Sequence, residues 1–570
     1  MKPRVWVTAG GLLAGCCALF ALAALDRQPA PASDPASLLP QGALVAIEAG
    51  DFRALLHDWN SSEEKQAWIR GANYESFSRS RLFERLSQAQ DEFSAAASIA
   101  PDLAFLQSVA GKQSCLGVYD IGKLEFVYIT RMDTAAIENS PLWMLRDKFE
   151  RRSEAGSDFY VRKDSSSSRT AAFAARDGWL ILATREDLVA DALDQMAGNG
   201  KENLASEAWY AEAVKQAGSP GELRMVLNLT KIVPSPYFRS YWVQRNITEM
   251  KQYSSVVSDL KREGAVYREE RVLLRRDSNT AAPQGDVRSI ASLAPDGVAL
   301  SLAQVAPDSE GILQALRENL LERRPQAGAV TQTTAPAAAS ENAGDASQLD
   351  TPIDQAPAVA AQADPFQSLR ALLAASPPVA MMQCYTSGSA SNDVFVSLGA
   401  AAVLEAQSAW DSQAVQNALT AALAPKLTAG ALGARWTRRT GASGDYLALD
   451  GAVDLFLKVD GKWLLLSSDP RLLDGMLARL HNAAPSAGAD AATYMAAYYP
   501  ARERSRYQQL MHQLDHAASG GENGNSGSPT FFAGNIGSLS QAFSSLDSEQ
   551  MDERDGGSLV RQTVTYRWKQ

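Results

Sequence analysis

Two histidines near the end of the chain have a spacing that is compatible with a metal site. His512 and His516 stand four residues apart, so a helix would place both imidazoles on one face, with Asp515 as a candidate base. A catalytic zinc site needs about three protein ligands. The sequence suggests no third one here, because the other histidines are His57 and His481. We therefore expect a solvated helix end, and we predict no metal-binding residues and no cofactor.

Motifs for nucleophilic catalysis and phosphate binding do not occur with the required spacing. Segment 524–527 contains a serine between glycines but lacks the Gly-x-Ser-x-Gly pattern of a hydrolase. Segment 198–201 lacks the upstream glycine and the following Ser or Thr of a phosphate loop, and it is typical of a helix C-terminus. We therefore predict no catalytic or cofactor-binding residues and a protein that is not an enzyme. The alternative is an extracytoplasmic hydrolase that uses His512 and His516 as a weak zinc motif.

Aromatic residues cluster in two places that could recognise a ligand. Such residues can form a platform for a glycan, a peptide or a lipid headgroup. Their spacing also fits the buried face of a helix, which is the interpretation that we favour. The two clusters comprise Tyr237, Phe238, Tyr241 and Trp242, and Tyr494, Tyr498 and Tyr499.

The composition is typical of a folded, multidomain protein that does not bind nucleic acid. The chain has 570 residues, of which 46% are hydrophobic, and a net charge of −11. Its length fits about two to four domains, and an acidic chain lacks the basic surface that nucleic acids require. Outside the N-terminal apolar segment, the cysteines are Cys115 and Cys384. We expect two buried thiols there, with a disulfide between them as the alternative.

The N-terminal segment has the features of a membrane anchor. Residues 1–25 contain an uncharged apolar run that follows Lys2 and Arg4, and about 20 such residues span the core of a bilayer. The preceding positive charges keep this end in the cytoplasm, so the body is expected outside it. We predict a single-pass inner-membrane anchor at 1–25 and a tether at 26–36. Cleavage as a signal peptide and a lipid on Cys16 are the alternatives.

The body of the chain contains two related halves. Each half opens with a Pro-x-Gly turn before an apolar strand, and each contains a strand that begins with tryptophan. Apolar residues follow that strand at i, i+1, i+4, i+5 and i+8, which is the spacing of one helix face. We therefore expect Trp179 and Trp463 at equivalent, buried positions. The matching segments are 36–42 with 291–297, 179–184 with 463–468, and 266–269 with 559–562.

The tryptophan strands also predict local geometry. An Asp-Gly pair precedes each of them, at Asp177 and Asp460. It indicates a tight hairpin, because glycine takes the positive φ of a type I′ turn. Lys462 then counts as an extra residue in the second half. Thr184 and Ser468 stand near the start of the following helices, where a hydroxyl can cap the first free N–H groups.

The predicted fold class is α+β. Each repeat should contain a largely antiparallel sheet with helices packed on one face, after the N-terminal apolar helix. In the first repeat, helices are expected at 51–70, 80–98 and 235–260, and hairpin-spaced strands between residues 115 and 184. The predicted organisation is repeat 1 at 37–277, a linker at 278–288, and repeat 2 at 289–570, with a low-complexity insertion at 325–364 and a flexible loop at 518–529.

Several of these motifs together resemble a bacterial family of domains of unknown function. The resemblance rests on the opening at 39–42, the turn at 119–122, and the hairpin, strand and helix at 177–196. Members of the family are exported proteins with an N-terminal apolar segment and a duplicated α+β body. The likeness covers most of residues 36–275 and, more loosely, 291–570. It implies location and architecture, and it carries no catalytic residues over to this chain.

These observations predict an envelope protein that acts by binding or scaffolding outside the bacterial inner membrane. Its expected partners are the membrane, through the N-terminal segment, and an envelope protein or a glycan. The acidic charge argues against nucleic acid. A purely structural spacer is a further alternative. A groove lined by convergent polar groups would favour binding, and a smooth, sealed interface would favour the spacer.

Overall fold

The computed structural model describes residues 34–568 except for positions 63–64, 67–68, 70–73, 75–77, 80 and 201 and segments 237–249, 322–363, 390–395, 429–434, 451–453, 483–490 and 503–545. Several predicted features therefore lie outside the described residues. They are the anchor at 1–25, residues 325–363 of the insertion, the flexible loop at 518–529, His512 with His516, and the aromatic cluster at 237–242. Within the described residues, no helix is long and apolar enough to cross a membrane.

The fold is mixed α+β, and the described strand registers are antiparallel. The strands are β1 Val45–Asp51, β2 Lys112–Asp120, β3 Glu125–Arg131, β4 Glu150–Glu154, β5 Ser157–Lys163, β6 Thr170–Arg176, β7 Trp179–Ala183, β8 Leu223–Asn228, β9 Tyr253–Glu263, β10 Val266–Arg275, β11 Leu300–Val305, β12 Pro378–Ser389, β13 Val396–Ala406, β14 Arg435–Gly441, β15 Gly444–Asp450, β16 Leu455–Asp460, β17 Trp463–Ser467, β18 Tyr494–Tyr498, β19 Leu546–Asp555 and β20 Leu559–Trp568.

Helices connect these strands and cover the sheets. The helices used below are α1 Phe52–Ser61, α2 Arg81–Ala97, α3 Leu103–Val109, α4 Thr134–Glu138, α5 Pro141–Met144, α6 Glu186–Met196, α7 Ala208–Ala217, α8 Leu229–Ile232, α9 Arg288–Ala291, α10 Ser309–Leu316, α11 Gln367–Ala375, α12 Ser412–Thr428 and α13 Pro470–Asn482.

The chain forms two compact units. The described residues of the larger unit fall within 4–286, 387–397 and 488–570, and those of the smaller unit within 287–386 and 398–487. Paired strands in the larger unit follow the order β4-β5-β6-β7-β3-β2-β1-β8-β9-β10-β20-β19-β18. In the smaller unit the order is β14-β15-β16-β17-β13, and β11 pairs with β12.

Helices cover both faces of the sheet in the larger unit. Along β7, Trp179, Ile181 and Ala183 pack with α6 and α7 in one buried cluster. Leu180 and Leu182 pack with α2 and α3 in another. Successive side chains of a strand point to opposite faces, so the two clusters lie on opposite sides of the sheet. The expectation of helices on one face is therefore wrong for this unit, because a strand that is apolar on both faces needs cover on both.

The apolar helix stripes that follow the tryptophan strands are buried, as expected. In the larger unit, the inward residues of α6 belong to the cluster that contains Trp179. In the smaller unit, α13 packs against β16 and β17, while α10, α11 and α12 pack with Leu464 and Leu466 of β17. The fully or nearly fully buried stripe residues are Leu188, Val189, Ala192 and Leu193 in α6, and Leu472, Leu473, Met476 and Leu477 in α13.

The two tryptophan hairpins have turns of equal length. Two residues separate the paired strand positions in each, Asp177 and Gly178 in the first and Gly461 and Lys462 in the second. Lys462 is therefore a turn residue, and its interpretation as an insertion is wrong. Both residues of the first turn have positive φ, 50° and 77°, as type I′ geometry requires. In the second turn Gly461 has a positive φ of 56°.

The structure tests the predictions made for the two tryptophans and for the two cysteines of the body. Trp179 is buried, as predicted, whereas Trp463 is only partly buried. The ammonium of Lys462 lies over the Trp463 ring, 5.1 Å from its centre. Cys115 and Cys384 are buried free thiols, so the expected thiols are confirmed and the disulfide alternative is wrong.

Thr184 and Ser468 do not cap helices. The helices α6 and α13 begin at Glu186 and Pro470, so both hydroxyl residues stand one position before the cap. Their side chains instead accept the backbone N–H of the neighbouring strand, from Phe126 at 2.9 Å and from the corresponding residue of β13 at 3.0 Å. Each hydroxyl therefore accepts a backbone N–H group from the adjacent strand, rather than one from the first turn of the helix.

Residues 253–263 form the strand β9 rather than the end of the helices expected at 235–260. Asp259 is buried in this strand and accepts two hydrogen bonds of 2.8 Å from Arg224 of β8. A buried carboxylate requires such a partner. Polar residues such as Asp259 occupy buried positions of β9, so this strand does not show the alternation of apolar and polar residues that predicts a strand. The sequence also does not show that Arg224, the partner of Asp259, lies on the neighbouring strand.

Candidate functional site

An apolar cavity of about 430 Å³ lies inside the larger unit. One wall is the face of the sheet that β1, β2 and β3 form, and residues of α1, α2 and α3 supply the opposite wall. Small-molecule sites typically have volumes of about 300–1,000 Å³, so the cavity is large enough for a ligand. Most of the side chains that line it are aliphatic or aromatic.

The sheet wall follows from the alternation of side chains along two central strands. Ile47 of β1 pairs with Leu116 of β2, and Val118 lies two residues further along the same face. All three remain partly accessible inside the sheet, because they face the cavity. The intervening residues Ala46 and Cys115 belong to the other face, where they are fully buried.

The helical wall depends on two helix starts and one apolar stripe. Asp51 and Asp102 cap α1 and α3 by accepting backbone N–H groups of the first turn, at 2.9 and 2.8 Å. On α2, Leu86, Ala89 and Phe93 are three and four residues apart and share one face, which lines the cavity. Ala89 has the smallest side chain of the three, so it leaves space where a larger residue would fill it.

Hydroxyl groups on the sheet wall are already hydrogen-bonded to the protein. Ser114 and Thr130 share a hydrogen bond of 2.6 Å, and the Tyr128 hydroxyl donates to the main-chain oxygen of Val109 at 3.2 Å. Burial raises the pKa of Tyr128 to about 12, so this residue is neutral at physiological pH. These groups therefore offer little to a polar ligand.

A charged side chain also lines the cavity, that of Arg169, directly before β6. Its side chain is 9% exposed, and its Nε and one Nη donate to the carboxylate of Glu92 on α2. The other Nη donates to the main-chain oxygen of Lys123 at 2.6 Å. Gln90, the residue after Ala89 on α2, lines the cavity and is exposed. Arg169 itself lies near solvent, because the side chain of its main-chain partner Lys123 is exposed.

A group of buried titratable residues lies on the opposite face of the sheet. Glu48 of β1 accepts a hydrogen bond from the Tyr210 hydroxyl and stands between Cys115 and Arg224 on the adjacent strands. Burial raises the pKa of Glu48 to about 7 and raises the pKa of the Cys115 thiol well above its usual value. The thiol therefore stays protonated at neutral pH and lacks the thiolate that a nucleophile requires.

A third polar cluster lies where β10 pairs with β20. Glu269 accepts hydrogen bonds from Arg271 at 2.6 and 2.7 Å, from Ser258 at 2.7 Å and from Tyr566 at 3.2 Å. Burial alone would raise the pKa of Glu269, but the attraction of Arg271 outweighs it and lowers the pKa. Burial raises the pKa of Glu549 to about 7. Such differences are typical of acid–base pairs, although these residues do not line the cavity.

The described histidines and the described tyrosines of the second aromatic cluster do not line this cavity. His57 is exposed on α1, and His481 lies 3.7 Å from Asp460 at the end of α13. Tyr494 and Tyr498 lie on the strand β18, so their interpretation as a helix face is wrong. Among the described residues, no group of three or more His, Cys, Asp or Glu side chains is placed to hold a metal.

The cavity could not be recognised from the sequence. A helix was expected at 80–98, and α2 confirms it, but an apolar stripe that faces a packed core and one that faces a cavity have the same sequence pattern. Ala89 was a weak signal, since a small residue at the centre of a stripe can equally meet a large neighbour. Arg169 carried no signal, because an arginine before a strand is most often solvated.

Comparisons with known proteins do not assign the chain. No family model matches it, and no curated protein matches it. Solved structures that are similar to parts of it include crystal form I of TP0453, with 10% identity and a TM-score of 0.23, and crystal form IV, with 9% and 0.24. Each covers 43% of this chain, and 80% and 81% of the other chain, respectively. TM-scores this low do not indicate a shared fold, so the family resemblance stays a prediction.

Proposed function

We propose that the protein binds the acyl chain of an amphiphile in its apolar cavity, within the bacterial cell envelope. The observation that carries the proposal is the cavity, which is of ligand size and apolar on both walls. Empty apolar volume destabilises a fold in proportion to its size. A binding function explains why this volume has not been filled by larger side chains.

The surroundings of the cavity favour an apolar ligand. The aromatic rings in its walls pack on one another, with centres 6.0 Å apart for Phe52 and Tyr128 and 6.4 Å for Phe93 and Phe126. A polar ligand would lose its hydrogen bonds to water without replacement, because the hydroxyls of the sheet wall are occupied. Burial of an acyl chain contributes about 25 cal/mol for each Å² of apolar surface removed from water.

The proposed location rests on the N-terminal sequence. Residues 1–25 would anchor the chain in the inner membrane, with the body on the outer side, where it would meet lipids and lipid-derived molecules. A reporter enzyme fused after Gln570 should be active only when it is outside the cytoplasm. Activity of a reporter that works only in the cytoplasm would contradict this location.

We infer further that the body arose by duplication of one α+β unit. The strand order β4-β5-β6-β7-β3 recurs as β14-β15-β16-β17-β13. Glu270 of β10 pairs with Thr563 of β20. The sequence separation of these two residues equals that of Arg268 and Arg561 in the matching segments, so Glu270 pairs with its own counterpart in the second half. A strand that pairs with its own copy has the twofold relation of a homodimer interface. An experimental structure with another β10–β20 register would contradict this inference.

Photocrosslinking can test the proposed ligand binding. The full chain in lipid nanodiscs would be irradiated with a diazirine-bearing hexadecanol, and the labelled peptides would be identified by mass spectrometry. We expect labelling in α2 and β2, with competition by unlabelled hexadecanol, because both elements line the cavity.

A cavity-filling variant and a matched control make the test specific. Ala89→Trp should weaken labelling about tenfold or more, which corresponds to a loss of about 1.4 kcal/mol. Gln88→Trp adds the same side chain to an exposed position of the same helix and should leave labelling unchanged. Equal labelling of both variants, or labelling only outside the cavity, would show that the cavity is not a binding site.

A further inference from the structure

We propose that the ligand is a single-chain amphiphile with an anionic headgroup, a carboxylate or a phosphate, and that Arg169 binds the charge. This inference rests on the proposed function, because it assigns the polar end of the ligand held in the cavity. Arg169 is the charged side chain among the described residues that line this largely apolar cavity. Its guanidinium also donates to the main-chain oxygen of Lys123, whose side chain is exposed, so a headgroup beside it would lie near solvent while its chain lies between the walls.

Arg169 retains N–H groups that can bind such a headgroup. A guanidinium carries five N–H donors. The described hydrogen bonds engage Nε and one Nη with Glu92, and the other Nη with the main-chain oxygen of Lys123. Each Nη carries a second N–H, and these two groups can donate to two oxygens of one anion, the geometry that arginine provides for carboxylates and phosphates.

The charge around Arg169 favours an anion. Arg85 donates to the carboxylate of Glu92 at 3.4 Å and to the main-chain oxygen of Gly122 at 3.1 Å, so two guanidinium groups share one carboxylate. Burial tends to raise the pKa of Glu92, but the two arginines outweigh it and hold the pKa below its usual value. Glu92 is therefore ionised at neutral pH, and one positive charge remains in this group of three.

Other charges near Arg169 do not line the cavity and have partners of their own. The Asp164 carboxylate, beside Arg169 in the β5–β6 turn, accepts hydrogen bonds from Ser166 and Ser167. Glu125 accepts a hydrogen bond from Arg185 at 3.1 Å and lies 4.0 Å from the ammonium of Lys123. Arg185 also pairs with Asp187. A charge that is removed from water is costly unless it is neutralised. An anionic headgroup beside Arg169 would supply that neutralisation, whereas an uncharged alcohol would not.

The test compares an anionic with an uncharged photoprobe of equal chain length on the full chain in nanodiscs. Diazirine-bearing palmitate should label α2 and β2 at a half-saturating concentration about tenfold lower than diazirine-bearing hexadecanol does, as expected for one charge-assisted pair. Arg169→Gln should remove this preference, so that palmitate and hexadecanol label at similar half-saturating concentrations. Arg151→Gln removes an exposed arginine from its ion pair with Asp158 in the same unit, and should change neither probe.

A second variant covers the case in which Arg169→Gln disturbs folding. Glu92→Gln leaves Arg169 in place and removes the carboxylate that competes for it, so palmitate labelling should become severalfold stronger. Weaker labelling would overturn the inference, as would equal affinity of the unaltered protein for palmitate and hexadecanol. Labelling of the cavity by neither probe would overturn the proposed function together with it. Competition by lysophosphatidylglycerol or by palmitate separates a phosphate from a carboxylate ligand, and either result supports an anionic headgroup.

Discussion

The same strand order supports a packed core in the smaller unit and a ligand-sized cavity in the larger one. In the smaller unit, Leu464 of β17 lies in a cluster of buried apolar residues with α10, α11 and α12. In the larger unit, Leu182 of β7 lies on the wall of the cavity. Relative to the paired tryptophan strands, Thr130 occupies the position of Leu404 in the other unit. The sheet is therefore common to both, and the side chains that face the helices differ.

This difference teaches that the covering helices decide between a core and a cavity. Helix α11 brings Leu369 and Leu373, which are 1% exposed or less, onto its sheet. Helix α2 places Ala89 opposite the sheet of the larger unit, and this small side chain leaves the space between them unfilled. A cavity thus needs only a few small or polar residues among apolar ones, and the strand pairing stays unchanged.

The largest expected contrast concerns the two tryptophans. Trp179→Ala should destabilise the larger unit by about 3–5 kcal/mol, because the removed ring is buried and leaves a cavity. Trp463→Ala should destabilise the smaller unit by about half as much, because its ring is partly exposed. Urea titrations followed by hydrogen exchange of peptides from each unit would measure both values, since the units need not unfold together. Equal costs would contradict the difference in burial.

A smaller contrast is expected between leucines in the core and on the cavity wall. Leu404→Ala should destabilise the smaller unit by about 2–4 kcal/mol, as truncations in packed cores do. Leu116→Ala should cost about 1 kcal/mol in the larger unit, because its side chain already faces empty space and loses fewer contacts. The same urea titrations would compare them. A cost for Leu116→Ala as large as that for Leu404→Ala would show that the cavity is filled in the free protein.

The sequence predicts the local elements better than their surroundings. The hairpin at residues 177–178 and the stripe of α6 follow from turn chemistry and apolar spacing, and the structure confirms both. The strand β9 was missed because its inward residues include Asp259, whose partner Arg224 is distant in sequence. For the same reason the cavity was missed, since an unfilled volume depends on residues from six or more elements that meet only in the fold.

The pH dependence of stability should also differ between the units. The folded-state pKa of Glu48 is raised by burial from 4.5 to about 7, whereas Ala303, at the same distance after the Pro-x-Gly turn of the second half, has no titratable group. The folded state binds the Glu48 proton more tightly than the unfolded state. The stability from this group is therefore complete below about pH 4.5 and is lost as the pH rises through 7.

Glu48→Gln should remove that loss. The larger unit should lose on the order of 1–3 kcal/mol between about pH 5 and pH 8 relative to the smaller unit, given about 1.4 kcal/mol for each unit of pKa shift. The variant should remove the part of this loss that Glu48 causes, while the part from Glu549, whose pKa burial also raises to about 7 in the same unit, should remain. Pulse proteolysis in urea at each pH, with fragments assigned to each unit, would measure the difference. A larger unit that becomes more stable towards pH 8 would have the wrong sign for a raised carboxyl pKa.

The smallest expected effect concerns the hydroxyls that follow the tryptophan strands. Thr184→Val keeps the shape of a buried side chain but leaves the N–H of Phe126 without its acceptor at 2.9 Å. A buried donor without a partner costs about 1–3 kcal/mol, and we expect a value near the lower limit. Ser468→Ala should cost less than about 1 kcal/mol, because Ser468 is partly exposed and water can replace its hydroxyl.

Thr184 also lines the cavity, and valine conserves its volume. Thr184→Val should therefore lower the stability of the larger unit without changing hexadecanol labelling. A loss of labelling with unchanged stability would mean that the Thr184 hydroxyl bonds to the ligand rather than to β3.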